Sequence, residues 1–136
     1  MNRSLTVHGV LLALLSSLSG FAPLIVKNPR MGLAAHVAGV MSAILLLALA
    51  ANWPAVKLSQ GKERLATALL LWAAYGNWAI TLVASMTGAK EFAPLAGSGF
   101  GASAVVEKGT LVLIMTVALS TLAGLGLVLS GLRKRP

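Results

Sequence analysis

Four long stretches of this chain carry no lysine, arginine, aspartate or glutamate: Leu5 to Val26, Met31 to Ala51, Leu65 to Ala89 and Gly109 to Leu132. Each matches or exceeds the roughly 20 residues that cross a hydrocarbon core about 30 Å thick. Backbone N–H and C=O groups find no partner in lipid, and Ala and Leu dominate these stretches without strand-like alternation. The pattern therefore predicts an all-α integral membrane protein: one domain over residues 1–136, a four-helix transmembrane bundle with helices near 5–26, 31–51, 65–89 and 109–132.

The first stretch follows Arg3 as a secretion signal would. It outlasts the apolar core of such signals, about 7 to 15 residues, and no small-residue cleavage site follows, so it is expected to stay in the mature protein. Pro23 and then Asn28-Pro29 close the first helix, and Trp53-Pro54 closes the second, making successive helices antiparallel. Arg3, Lys57, Lys62, Arg64, Arg133, Lys134 and Arg135 fall on one side of the predicted membrane, seven against the four of Lys27, Arg30, Lys90 and Lys108. The positive-inside rule then expects both termini in the cytoplasm, with the chain in the bacterial inner membrane and Arg133-Lys134-Arg135 as a headgroup anchor.

Composition narrows the chemistry. The chain is 57% hydrophobic and 10% charged, where a soluble domain carries about a quarter of its residues as charge. Its net charge of +8 is spread between apolar segments rather than gathered on one water-facing surface, which argues against nucleic acid as a partner. Cysteine and aspartate are absent, and Glu63, Glu91 and Glu107 stand between or at the ends of the apolar runs. This excludes disulfides, thiolate ligands and an intramembrane carboxylate pair from a single chain. Gly97-Ser98-Gly99-Phe100-Gly101-Ala102, in the longest connection, imitates a dinucleotide fingerprint but has no strand before it, and is expected to be a flexible loop capping the bundle.

Polar groups inside hydrocarbon are costly and each needs a reason. The prominent ones are His8, His36, Tyr75 and Asn77. Neither a serine triad nor a three-ligand zinc site can be assembled from this set, so reactivity is expected to come from a cofactor. At about 1.5 Å of rise per residue, His8 should lie about 4–5 Å inside the cytoplasmic edge and His36 about 8 Å from the opposite one, too far apart to clamp one metal. Tyr75 and Asn77, about 15–18 Å deep by the same rise, fall near the level of His36, so a joint site of His36, Tyr75 and Asn77 is geometrically open.

Gly32, His36, Gly39 and Ala43 share one helix face. Two readings fit: close helix packing through small residues, or a flat slot in which a porphyrin lies with His36 as axial ligand. Trp72, Tyr75 and Trp78 recur every three residues at mid-depth, either as core or as the wall of an aromatic pocket. Asn77 serves either as interhelical glue or as a substrate or cofactor contact, and His8 is expected to bond a neighbouring helix or a headgroup.

Val7-His8-Gly9, Ala35-His36, Arg64-Leu65 and Tyr75-Gly76-Asn77, in this order on the same four spans, resemble the small membrane isomerases that include styrene oxide isomerase and hydroxylaminobenzene mutase. The likeness runs over roughly residues 7–115, and the compact length is closer to the hydroxylaminobenzene mutases. The resemblance implies a non-covalent ferric haem b at the subunit interfaces of a homotrimer, with His36 as axial ligand and Gly32 and Gly39 beside it. It also implies an intramolecular isomerase in which iron acts as a Lewis acid and the hydroxyl group of a small aromatic hydroxylamine moves to the ortho carbon, giving 2-aminophenol. In that setting Trp72, Tyr75 and Trp78 would stack on the aryl ring and Asn77 would bond the nitrogen or the migrating oxygen. Ser42 stands where the epoxide isomerases have an asparagine, and Ile80 or Thr81 where they have a tyrosine, which weakens the case for an epoxide substrate. A non-enzymatic membrane haem carrier is the remaining alternative.

Overall fold

Helix ends are set by caps and turns rather than by the last charged residue, and this shifts several predicted boundaries. The computed structural model describes residues 1–133, so Lys134 and Arg135 of the expected anchor lie outside the described residues. Helix α1 spans Arg3–Ser19, α2 Pro29–Asn52, α3 Gln60–Thr87 and α4 Ala104–Leu132, and no strand occurs among the described residues. All four are long and apolar enough to cross a membrane.

The first helix starts where the Asn2 side chain accepts from the Leu5 N–H, and it stops at Gly20 instead of running on to Val26. Pro23 lacks an N–H and fixes its φ, so the chain turns through a short 3-10 segment over Ala22–Leu24. In α2 the Asn28 side chain caps Met31 N–H and Pro29 takes the first helical position, where its missing donor costs nothing. Both α3 and α4 begin about a turn before their charge-free stretches, with Glu63 and Glu107 in first turns where a carboxylate complements the helix dipole. The left-handed Gly88 (φ 84°) ends α3.

Successive helices are the main neighbours: α1 packs on α2, α2 on α3 and α3 on α4, while α1 meets α3 only lightly. The largest buried cluster joins Leu5 and Leu12 of α1, Ala43, Leu46 and Ala50 of α2, Ala66, Leu70 and Ala74 of α3, and Val128 of α4. Asn2 N–H bonds Ala50 C=O, Lys57 N–H bonds Gly131 C=O and Trp53 Nε1 donates to Glu63. These contacts gather both chain ends and the second connection, with Arg3, Lys57, Lys62, Arg64 and Arg133, at one end of the bundle.

At the other end the third connection is tied down, which corrects the expectation of a flexible cap. Lys27 Nζ donates to the carbonyls of Thr87 (3.1 Å) and Gly101 (2.8 Å), Asn28 Nδ2 to that of Ala96 (3.0 Å), and Arg30 to that of Ser98. The Arg30 guanidinium also lies over the Phe100 ring at 5.9 Å. Buried Glu107 accepts from the N–H groups of Lys90, Glu91 and Ala102 at 2.8–3.0 Å. A hydrogen bond to a charged group is worth about 1.5–3 kcal/mol when shielded and less where, as at Lys90 and Glu91, the donor's residue is exposed. Glu107→Ala is therefore expected to free the loop while leaving the helices in place, read as faster amide exchange at Lys90, Glu91 and Ala102 and as protease cleavage within residues 88–103.

Candidate active site

The small-residue face of α2 is real, and the chain's own helices cover it. A methyl group on Gly39 would collide with Ser16 Oγ of α1 and lie 2.6 Å from Trp78 Cδ1 of α3; one on Gly32 would lie 3.0 Å from Val26 and 3.3 Å from the Pro23 nitrogen. Within one chain Gly32 and Gly39 thus serve close packing and leave no slot beside them. His36, on the same face, is half-buried and lies against Gly20, whose missing side chain makes room for the ring.

His36 Nδ1 is 2.6 Å from the Ser16 carbonyl oxygen. A carbonyl only accepts, so Nδ1 carries the proton and Nε2 keeps its lone pair. That is the state of a metal-binding imidazole, whose second nitrogen donates to a carbonyl or carboxylate and fixes the ring. Among the described residues no cluster of three His, Cys, Asp or Glu side chains could hold a bare metal ion. A haem iron, which brings four nitrogens of its own, needs only one such imidazole from the protein, and His36 fits that requirement.

Tyr75 does not join His36. Its hydroxyl donates to the His8 carbonyl and meets His8 Nδ1, each at 3.2 Å, and the two rings stand edge to face at 5.7 Å. Counting depth from the first uncharged residue separated these two. In the structure the long tyrosine side chain leans toward its helix N-terminus and reaches back to the level of His8. The Tyr75 hydroxyl thus meets both the backbone and the ring of His8, tying α3 to α1.

Trp72, Tyr75 and Trp78 likewise do not line one pocket. Trp72 is 45% exposed and donates to Thr116 of α4, while Trp78 reaches α1 and donates to Ser19 Oγ at 3.1 Å. Steps of three residues walk about 60° around a helix each time, enough to send three rings to three neighbours. Trp78 does line an apolar cleft with Leu15, Phe21 and Leu82.

Asn77 and Ser42 do come together. Both line an apolar groove of about 680 Å³ between α2, α3 and α4, walled by Ala38, Met41, Ala73 and Ala74. Its volume is in the range of small-molecule sites and leaves room beyond a single aromatic ring. The side chains of Asn77 and Ser42 make no hydrogen bond among the described residues, whereas Thr121, also in the groove, bonds the Val117 carbonyl. Asn77 is half-buried and faces the groove, where a polar ligand group would pair with its amide. Thr81 is buried and spends its hydroxyl on the Asn77 carbonyl at 2.7 Å, so no phenol or alcohol from that position reaches the groove.

At about 100° per residue, His36 sits about 170° around α2 from the middle of the face that lines the groove. Sequence reasoning missed Ser16 and Ser19, which hold His36 and Trp78; serine in a Leu- and Ala-rich run carries no signature. The one available signal was their spacing just before Gly20 and the Pro23 turn, at the depth expected for His36.

Fold and groove define the class first: a small all-helical protein with four helices long and apolar enough to span a membrane and an apolar groove that carries Asn77 and Ser42. The particular family follows from sequence comparison, since the family model described as styrene oxide isomerase matches residues 1–133, and the chain belongs to that family. It is similar to hydroxylaminobenzene mutase HabB of Ectopseudomonas oleovorans, 36% identical over 135 residues that cover 98% of this chain and 82% of HabB. It is also similar to hydroxylaminobenzene mutase HabA of the same organism, 29% identical over 118 residues, 86% of this chain and 87% of HabA. No solved structure matches the chain.

Proposed function

We propose that this protein is an intramolecular mutase that converts hydroxylaminobenzene to 2-aminophenol. The two relatives named for that activity support the substrate, and the apolar groove with unpaired Asn77 and Ser42 is the observation in the fold that carries the reading. Substrate and product are isomers: the N–O bond breaks, a C–O bond forms at the ortho carbon, that carbon loses its proton and nitrogen gains one. No external oxidant or reductant is needed.

A ferric haem b, held non-covalently through His36 Nε2, supplies Lewis-acid polarisation of the N–O bond when bound. The chain's own residues do the rest. Ser16 C=O holds the His36 proton on Nδ1 and so keeps Nε2 available. Apolar walls exclude the water that would otherwise capture an electron-poor ring and divert the oxygen. The Asn77 amide donates to the migrating oxygen or accepts from the nitrogen, and Ser42 offers a second contact. Tyr75 acts from a distance, by fixing His8 and the α1–α3 packing.

The assembly belongs to the same proposal. His36 and the groove face opposite ways on α2, and α4 is the least covered of the four helices. A homotrimer that places the haem between subunits would bring the imidazole of one chain toward the groove of the next. The excess of Lys and Arg at one end favours the inner membrane with both termini cytoplasmic.

Asn77→Ala should lower kcat/KM for phenylhydroxylamine by about tenfold to a hundredfold, the equivalent of about 1.4 to 2.8 kcal/mol, with an unchanged melting temperature. The deciding experiment for the reaction uses oxygen-18. Detergent-purified protein given labelled phenylhydroxylamine should return 2-aminophenol that keeps the label; oxygen taken up from labelled water would refute intramolecular transfer. The family model's name favours one second reading, an aryl epoxide isomerase, and styrene oxide in a parallel assay separates the two by which substrate turns over.

A further inference from the structure

The carbonyl that holds His36 is shared. Ser16 C=O accepts from His36 Nδ1 at 2.6 Å, from Ser19 Oγ at 2.8 Å and from Gly20 N–H at 3.1 Å, and the Gly20 N–H is itself divided with the Ser17 carbonyl. Ser19 Oγ in turn accepts from Trp78 Nε1 at 3.1 Å. A hydroxyl bonded to the carbonyl three residues back is ordinary at a helix end. Here, however, the same oxygen also fixes an imidazole from another helix, and a third helix supplies the indole that polarises the hydroxyl. Ser16 is fully buried and Ser19 nearly so.

We propose that Ser19 and Trp78 are positioning residues for His36, acting through the Ser16 carbonyl to set how strongly the imidazole Nδ1–H is bound and therefore how strong an electron donor Nε2 is. A carbonyl oxygen has two lone pairs and here faces three donors, so each takes a reduced share. The indole donating to Ser19 Oγ strengthens the hydroxyl's own donation, because hydrogen bonds in a chain polarise one another. Loss of the Ser19 hydroxyl leaves more of the carbonyl to His36, tightens that bond and gives the ring more imidazolate character. A ligand so strengthened would hold iron as a weaker Lewis acid. Only this last consequence rests on the haem reading; the tautomer and the shared carbonyl do not.

The test uses the full chain as purified, ¹⁵N-labelled at histidine, in lipid nanodiscs and reduced under carbon monoxide so that any haem iron is diamagnetic. The wild-type His36 ring should show its proton on Nδ1. In Ser19→Ala that proton should move downfield, in Trp78→Phe it should move the same way by less, and in Ser19→Thr, which keeps the hydroxyl, it should return near the wild-type position. If haem is bound, the midpoint potential of Ser19→Ala should fall below that of Ser19→Thr. A proton on Nε2 in haem-free wild type, or a Ser19→Ala resonance that does not move, overturns the proposal. A preparation without a Soret band overturns the haem reading alone and leaves the nuclear resonance result to judge this one.

Discussion

His36→Ala should cost the protein its pigment and its turnover of phenylhydroxylamine together. The imidazole held by Ser16 C=O is the side chain whose tautomer and half-buried position would suit it to hold haem iron. Lewis-acid assistance is worth several kcal/mol, so the loss in kcat/KM should be about a thousandfold or more. His8 provides the control. It stands in the α1–α3 contact with Tyr75, away from the Gly20 pocket, so His8→Ala should retain haem at wild-type stoichiometry. Absorbance at the Soret maximum per mole of chain, measured beside the rate, distinguishes the two variants. Retention of pigment and rate in His36→Ala would contradict the ligand assignment.

The second large effect is on stability. A methyl group on Gly39 would occupy the space of Ser16 Oγ and stand 2.6 Å from Trp78 Cδ1 and 2.9 Å from Ser16 Cβ, so α1 and α3 would both have to move away from α2. Overpacking of this kind costs about 1–3 kcal/mol and sometimes more, and Gly39→Ala belongs at the upper end because it wedges apart three helices at once. The same displacement pulls Ser16 C=O from His36, so haem affinity should fall with stability. Gly126→Ala is the comparison, since a methyl group there meets nothing within 4 Å. Alanine also loses less backbone entropy on folding than glycine, so this variant should match the parent or gain about 0.5 kcal/mol. Thermal or denaturant unfolding in a fixed detergent reads both, and a Gly39→Ala protein as stable as Gly126→Ala would refute the packing seen around His36.

How far these features are legible in the sequence depends on the kind of physics behind each. Burial in lipid acts on long runs of residues, so the number and type of helices follow from the charge-free stretches. The ends do not, because single groups decide them: Asn2 and Asn28 as caps, Pro23 as a breaker, and Glu63 and Glu107 as first-turn acids that let α3 and α4 start outside the apolar stretch. The common face of Gly32, His36 and Gly39 follows from helical spacing alone, but spacing cannot say whether the chain's own helices cover it. Ser16 and Trp78 answer that for Gly39, and the spacing along α2 carries no trace of either.

Tyr75 and Asn77 show the opposite failure. They stand two residues apart at one depth and point about 160° apart around α3, so equal depth brought neither to His36. The order of the third connection was hidden for a different reason. Glu107 binds three backbone N–H groups contributed by Lys90, Glu91 and Ala102, and the lone acid in the first turn of α4 was the only visible trace of that arrangement.

The central claim is that the chain owes its chemistry to iron held by one imidazole inside a membrane bundle. It is tested most directly by preparing the full-length protein at graded haem occupancy and measuring 2-aminophenol formation against the Soret absorbance of each sample. The rate should rise in proportion to haem content and extrapolate to zero without it; a colourless sample that isomerises phenylhydroxylamine at the full rate would contradict the account.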